Sequence, residues 1–251
     1  FELEALKAQA LTARTYIVNQ LLRGKSSGLP SGAQVDDTVQ YQVFKNETEL
    51  RTQWGSDYEA NMNKIAQAVL ETEGQILTYD GNPITATFFS NGNGYTENAE
   101  ALWKDAYPYL KSVASPWDEQ APQFEERISI PIKDFENKLG VNLKSSETVG
   151  KIVERTPGKR VAKVDINGKQ FTGIQIREML NLRSTDFSWV MQGDAVIITT
   201  RGYGHGGGMS QWGANGMAKD GKTYDEIVKH YYQGIEIASA ESLTQQIVAN
   251  K

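Results

Sequence analysis

The residues best suited to chemistry lie in a glycine-rich segment near the C-terminus, Arg201–Ala214. It holds one of the two histidines of the chain, His205, with Tyr203, Ser210 and Gln211, among six glycines. Glycine loses more backbone entropy on folding than other residues, so a cluster of glycines indicates tight turns or a ligand close to the main chain. Because proton-exchanging groups lie inside this cluster, we predict a functional site here.

Common motifs describe this segment poorly. The pattern Gly-x-Gly-x-x-Gly over Gly202–Gly207 follows a predicted strand, but the 44 residues after it are too few to complete a dinucleotide-binding domain. The nucleophile-elbow pattern of a serine hydrolase is missing around Ser210. His205 and His230 have no short cluster of acids that would complete a metal site with them. The simplest alternative is a histidine that hydrogen-bonds locally within a turn.

Two further stretches could contribute to a site. Phe88–Asn98 contains Ser90 and Tyr95 among asparagines and glycines, a neutral surface with an aromatic ring that suits a sugar; the alternative is an ordinary connection, since these residues favour turns. Glu4 lies near the start of a predicted helix, with Lys7 three residues later. By spacing alone, Glu4 would be a solvent-facing acid paired with Lys7.

Composition excludes several classes of protein. The chain has 251 residues, no cysteine, 39% apolar residues and a net charge of −5, which describes a folded protein and argues against nucleic acid as a partner. No stretch reaches the ~18 apolar residues of a membrane span. Because the sequence starts at Phe1 rather than Met, we expect that an upstream signal or anchor has been removed.

The elements that must position these residues follow from hydrophobic periodicity and turn signals. Periodicity predicts helices at about 3–23, 58–73, 133–139, 174–180 and 224–232, and turn signals predict hairpins at 80–83 and 167–168. A strand over 195–200 leads into the glycine-rich segment. We predict an α+β fold, with a mixed helical and β-hairpin catalytic core (1–120 and 194–251) and an inserted, mainly β subdomain at 121–193.

Taken together, the three stretches resemble the stage II sporulation protein D family. Glu4–Tyr16 reads Glu-Ala-Leu-Lys-Ala-Gln-Ala-x-x-Ala-Arg-Thr-Tyr, Ser90–Glu97 reads Ser-x-x-x-Gly-Tyr-Thr-Glu, and Gly202–Ala214 reads Gly-x-Gly-His-Gly-x-Gly-Met-Ser-Gln-Trp-Gly-Ala. Leu182–Phe187 fits a fourth element, Leu-Arg-Ser-Thr-x-Phe. The resemblance extends over nearly the whole chain.

This resemblance implies a lytic transglycosylase that cleaves the bond between N-acetylmuramic acid and N-acetylglucosamine, in peptidoglycan strands stripped of stem peptides, with 1,6-anhydro product formation. It implies a membrane-anchored protein between the mother-cell and forespore membranes during engulfment, in partnership with a stem-peptide amidase. Two alternatives stay open. One is a non-catalytic, glycan-binding enhancer of a cell-wall amidase, and the other is a muramidase that uses water.

The resemblance also implies site residues. Glu4 would be the catalytic acid, and we expect partial burial to raise its pKa enough for protonation near neutral pH. Lys7 is expected to point away from Glu4 or to bond the sugar. The predicted substrate-binding residues are Lys7, Arg14, Ser90, Tyr95, Tyr203, His205, Ser210 and Gln211, and Glu4 and His205 are expected to share one cleft. Some relatives hold Cys and His where this chain reads Val35–Gln42, so we expect no metal there, and no cofactor.

Overall fold

The computed structural model describes residues 1–24, 33, 35–38, 42–143 and 148–241. Helices and several small sheets are mixed along the chain, which confirms the predicted α+β class. The chain forms two compact units. The first contains the described residues of Phe1–Thr87, Ala218–Lys229 and Gly234–Lys251, and the second contains those of Phe88–Met217 and His230–Gln233.

The elements are numbered in chain order. The helices are α1 (Leu3–Arg23), α2 (Glu47–Trp54), α3 (Tyr58–Glu71), α4 (Ile132–Leu139), α5 (Gly173–Leu180), α6 (Gln211–Lys219) and α7 (Tyr224–Tyr231). The strands are β1 (Gln75–Tyr79), β2 (Asn82–Pro83), β3 (Phe88–Phe89), β4 (Glu125–Pro131), β5 (Lys151–Arg155), β6 (Val161–Ile166), β7 (Lys169–Thr172), β8 (Phe187–Gln192), β9 (Ala195–Arg201), β10 (Met209–Ser210) and β11 (Glu236–Ser239). The five predicted helices correspond to α1, α3, α4, α5 and α7.

In the first unit, α1 packs against α3 and β1. Its fully buried positions include Ala5, Ala8 and Leu11, and the small alanine side chains let neighbouring backbone approach closely. Thr15 is buried further along the helix, where its Oγ1 accepts a hydrogen bond of 2.8 Å from the backbone N–H of Leu77 in β1. This bond ties the helix directly to the sheet.

A three-stranded antiparallel sheet, ordered β11-β1-β2, completes the first unit. A hairpin forms at the predicted place, but its second strand is β2, Asn82–Pro83, which lies within the predicted turn. Its turn places Asp80 and Gly81 at positive φ, 49° and 74°, the combination that a tight two-residue hairpin loop requires.

The second unit holds two three-stranded antiparallel sheets, β4-β9-β8 and β5-β6-β7, with α4 and α5. One continuous apolar core between Ile130 and Ile198 joins these elements and includes Phe135, Val164 and Phe187. The predicted hairpin at residues 167–168 joins β6 to β7. The predicted subdomain 121–193 lies within the second unit, and its separation from the rest of that unit stays a prediction.

Candidate functional site

Glu4 lies in the first turn of α1 and accepts a hydrogen bond on each carboxyl oxygen. Lys7 Nζ donates to Oε1 at 2.7 Å, and the backbone N–H of Tyr224 donates to Oε2 at 2.7 Å. Tyr224 opens α7, so this N–H is one that the helix itself leaves unpaired, at the positive end of the helix dipole. Each carboxyl oxygen of Glu4 thus has one donor, and the side chain is 30% exposed.

Of the two alternatives for Lys7, that it points away from Glu4 is wrong, and that it bonds the sugar stays a prediction. The two residues lie one helical turn apart on the same face, and Lys7 Nζ also contacts Glu71 Oε2 at 2.5 Å. The hydrogen bond to Glu4, followed by that to Glu71, raises the pKa of the Lys7 ammonium above its ordinary value. The ammonium also lies 5.9 Å from the centre of the Tyr224 ring. Lys7 is therefore a firmly charged group held between two carboxylates.

Arg14, another predicted binding residue, caps the C-terminal end of α3. Its guanidinium donates to the backbone carbonyls of Thr72 at 2.6 Å, Gln75 at 3.0 Å and Val69 at 3.3 Å. Such a cap satisfies carbonyl groups that the last helical turn leaves unpaired. Burial lowers the pKa of Arg14. These contacts make Arg14 part of the packing of the first unit, and its role in substrate binding stays a prediction.

The glycine-rich segment in the second unit is fixed mainly by its own backbone. β10 pairs in parallel with β3, and Tyr203 exchanges two backbone hydrogen bonds with Asn91, at 2.8 and 3.1 Å. Gly206 has φ of 89°, and a Cβ there would lie 2.4 Å from Cζ of Arg160. Only glycine fits this position, because both the backbone angle and the space exclude a side chain.

His205 lies in this segment with both ring nitrogens occupied by the backbone. Nδ1 accepts from the N–H of Gly207 at 3.0 Å, so Nε2 carries the proton that it donates to the carbonyl of Phe88 at 3.0 Å. The ring packs between Phe89 and Trp103, with centroid distances of 5.6 and 5.5 Å. Burial, with the nearby positive charge of Arg177 adding to it, lowers the pKa of His205 to about 4. The alternative of a histidine bonded locally in a turn describes this arrangement, and substrate binding by His205 stays a prediction.

Ser210 is fully buried, and its hydroxyl makes structural hydrogen bonds. Its hydroxyl donates to a carboxyl oxygen of Asp118 and accepts from the N–H of Gly213 at 3.1 Å, which caps the start of α6. Burial raises the pKa of Asp118, against the opposing effect of the Ser210 hydrogen bond. Gln211, the first residue of α6, is only half-buried.

The two predicted aromatic residues of the second unit are accessible to solvent. Tyr203 is 50% exposed and Tyr95 is 39% exposed. Arg183 lies over the Tyr203 ring at 5.4 Å and Lys159 over the Tyr95 ring at 5.8 Å, so each ring has a cation beside it. Ser90 is half-buried, and its carbonyl accepts from the N–H of Trp212 at 3.0 Å. This surface can pack against a sugar face.

A buried ionic cluster formed by Arg160 and Glu97 was not predicted from the sequence. Arg160 Nη1 donates to Asn93 Oδ1 and to the carbonyl of Tyr95, both at 3.1 Å, although the whole side chain is only 1% exposed. Glu97 is equally buried and accepts from the N–H groups of Gly158 and Asn98, both at 3.2 Å, and from the hydroxyl of Thr156.

This cluster supports the glycine-rich segment. The backbone N–H of Glu97 donates to the carbonyl of Gly206 at 2.8 Å, and Gly206 lies against the face of the Arg160 guanidinium. Glu97 belongs to a stretch that the sequence analysis singled out, so it could have been found. Arg160 follows an unremarkable Thr-Pro-Gly-Lys turn, and no local signal marks it.

The predicted site residues are thus divided between the two units. Glu4, Lys7 and Arg14 belong to the first, and the six others belong to the second. That Glu4 and His205 share one cleft stays a prediction. In the part of the chain that the structure describes, no group of three or more His, Asp or Glu residues is arranged to hold a metal ion, and no helix is long and apolar enough to cross a membrane. Positions 39–41 of the predicted metal-free stretch lie outside the described residues.

Comparison with known proteins agrees with the motifs. A family model described as "Stage II sporulation protein" matches residues 1–79. The whole chain is 53% identical to Stage II sporulation protein D of Bacillus subtilis (strain 168), and 52% identical to the protein of that name from Bacillus amyloliquefaciens, covering 73% of each. A more distant relative, the Amidase enhancer of Bacillus subtilis (strain 168), is 28% identical over 95% of this chain and 38% of its own length. The chain belongs to the stage II sporulation protein D family.

Proposed function

We propose that this protein is a peptidoglycan lytic transglycosylase in which Glu4 is the single catalytic acid and base. The observation that supports it most is the setting of Glu4, a partly exposed carboxylate on a rigid helix, with a charged lysine and a helix N-terminal N–H on its two oxygens. Membership of a sporulation family directs the proposal to cell-wall chemistry.

One carboxyl group is enough for this reaction. Protonated Glu4 gives its proton to the glycosidic oxygen, the bond from C1 of N-acetylmuramic acid to that oxygen breaks, and the N-acetylglucosamine 4-hydroxyl leaves. The muramic C6 oxygen then forms a bond to C1 and returns its proton to Glu4. Water does not enter, so the second carboxylate of a standard glycosidase is dispensable, and the attacking hydroxyl is already in place.

The hydrogen-bond donors beside Glu4 stabilise the reaction stage in which Glu4 has given its proton to the glycosidic oxygen. When Glu4 has given up its proton, the new negative charge faces the Lys7 ammonium and the Tyr224 N–H, which are already oriented toward its oxygens. Donors that are fixed before the charge develops need no reorganisation, which is the largest contribution in many enzymes. We propose that binding of the glycan moves Lys7 away from Oε1, which leaves that oxygen free to carry the proton.

For substrate binding we propose the exposed side chains of the second unit. Tyr203 and Tyr95 offer ring faces to the apolar faces of sugars, while Ser90 and Gln211 offer hydroxyl and amide groups to acetamido groups. His205 and Ser210 then act by holding the backbone of the segment in place. Arg14 is left out of the binding set.

Product analysis tests the proposal. Purified protein is incubated with glycan strands freed of stem peptides, and the products are examined by mass spectrometry for 1,6-anhydromuramic ends. We expect such ends from the wild type and a loss of ~10²–10⁴-fold with Glu4→Gln, which keeps the shape and removes the acid. Glu59→Gln, an exposed carboxylate on α3, is the matched control and should match the wild type. Reducing ends instead of anhydro ends would indicate a muramidase and refute the transglycosylase.

A second candidate rests on the Amidase enhancer relative. In that case the same residues bind glycan or a cell-wall amidase without cleaving the strand. Glycan binding without any new ends, together with faster stem-peptide release by an added amidase, would decide for this function. Under either candidate we propose a stem-peptide amidase as partner, and a membrane-anchored location between the mother-cell and forespore membranes.

A further inference from the structure

We propose that Glu71 is a positioning residue that, by sharing Lys7 with Glu4, controls when Glu4 can hold a proton. The inference rests on the catalytic role proposed for Glu4 and extends it to a residue outside the three motifs. Glu71 is the last residue of α3, and Lys7 is the only side chain that contacts both carboxylates among the ion pairs of the described residues.

The geometry makes Lys7 a bridge between two acids of unequal exposure. Its ammonium lies 2.7 Å from Glu4 Oε1 and 2.5 Å from Glu71 Oε2, and its own side chain is 13% exposed, against 30% for Glu4 and 42% for Glu71. Gln67 donates to the other oxygen of Glu71 at 2.7 Å, which holds that carboxylate in position. The hydrogen bond from Lys7, with the smaller contribution of Gln67, lowers the pKa of Glu71, so Glu71 stays charged.

Other charged side chains on α3, on α7 and just before α7 have hydrogen-bond or ion-pair partners of their own. On α3, Lys64 donates to the carbonyl of Phe1 at 2.5 Å. On α7, Asp225 pairs with Lys229 at 2.8 Å. Lys222, just before α7, pairs with Glu226 at 2.8 Å. β1 and β2 have no charged side chains. Among the ion pairs of the described residues, Lys7 is the cation that contacts Glu4, and Glu71 is the acid that shares it.

Because Lys7 contacts both carboxylates, it can leave Glu4 and still keep Glu71 as an ion-pair partner. If the ammonium had Glu4 as its sole partner, breaking that contact would strand a charge in a poorly exposed position, which is costly. With Glu71 in contact already, Lys7 can release Glu4 Oε1 and keep a carboxylate partner. Oε1 is then free to take up the proton that the glycosidic oxygen needs.

The experiment measures the pH midpoint of the Glu4 carboxyl carbon by ¹³C NMR of the full chain, with the signal assigned by its loss in Glu4→Gln. In Glu71→Gln, Lys7 is left to Glu4 alone and a neighbouring negative charge is removed, so the carboxylate form of Glu4 gains stability. We expect its midpoint to fall by about 0.5–1 pH unit. Because the acid must be protonated to act, the alkaline limb of kcat/KM should move down by the same amount.

Two matched variants complete the test. Glu71→Asp keeps the charge and should restore much of the wild-type midpoint, whereas Lys7→Met should move the midpoint up. Thermal unfolding checks that each variant is folded. A Glu4 midpoint that stays in place or rises in Glu71→Gln overturns the inference. The titration needs no substrate, so it decides the role of Glu71 even if the protein forms no anhydro product, a result that would instead refute the proposed function.

Discussion

Replacing the buried Arg160 by methionine should destabilise the second unit more than any exposed arginine replacement. Methionine is of similar length and apolar, so it fills much of the same space without the charge. The change removes the two hydrogen bonds to Asn93 Oδ1 and the Tyr95 carbonyl. It also removes the positive charge that faces Glu97, Asp186 and Asp118.

Three contributions set the size of the effect. Two hydrogen bonds from a charged donor are worth ~1.5–3 kcal/mol each, or roughly 3–6 kcal/mol together. Nε and Nη2 of Arg160 have no partner among the described residues, and each such buried charged donor costs ~2–3 kcal/mol, so removing both returns roughly 4–6 kcal/mol to the variant. Leaving buried carboxylates without their cation costs about 3–5 kcal/mol. We expect a net loss of about 3 kcal/mol, which lowers Tm by roughly 6–12 °C.

Urea unfolding and calorimetry measure this loss, and Arg201→Met supplies the matched control. Arg201 belongs to the same unit and pairs with Glu125 at 3.1 Å, but both side chains are more than half exposed, so the same substitution should cost less than ~1 kcal/mol. The cost of Arg160→Met should also shrink toward pH 5. Burial already raises the pKa of Asp118 and Arg160 opposes that rise, so without Arg160 the folded protein binds a proton more readily.

Equal losses for Arg160→Met and Arg201→Met would refute the view that the buried cation supports the second unit. If Arg160→Met loses the same free energy of unfolding at pH 7 and pH 5, the loss comes from packing, and the electrostatic explanation is refuted.

Two further predictions concern the remaining structural side chains. His205 has a folded pKa of about 4, below its unfolded value, so its contribution to stability is complete above pH 6.5 and declines as pH falls toward 4; urea midpoints should show this decline in the wild type and a weaker one in His205→Gln. Arg14→Met should lose about 2 kcal/mol because α3 loses its cap, whereas Arg51→Met on the exposed face of α2 should lose less than ~1 kcal/mol in the same urea assay.

Local patterns predicted the helices well where one face is apolar. α1, α3 and α7 follow the three- and four-residue spacing of their apolar residues, and the β1–β2 turn follows from its Asp-Gly pair. α6 was missed because two of its nine residues are glycine, which argue against a helix by propensity, and packing against Trp117 and Tyr231 overrides that preference.

The site was predictable only in part, for a physical reason. Spacing alone offered the contact between Glu4 and Lys7, because residues three apart on a helix are neighbours. The other hydrogen-bond and ion-pair partners of the site residues come from distant parts of the chain. Glu71 joins Lys7 from another helix, and Arg160 meets Asn93 across 67 positions. Tertiary packing decides which distant side chains come into contact, and local patterns in one sequence do not predict it.

The hydrogen bond from Tyr224 to Glu4 spans 220 positions of the chain. During translation, α1 leaves the ribosome long before α7, so the acid lacks this donor until the start of α7 has also been made. A fragment that ends before Tyr224, whether from stalled synthesis or from proteolysis, carries Glu4 without this donor.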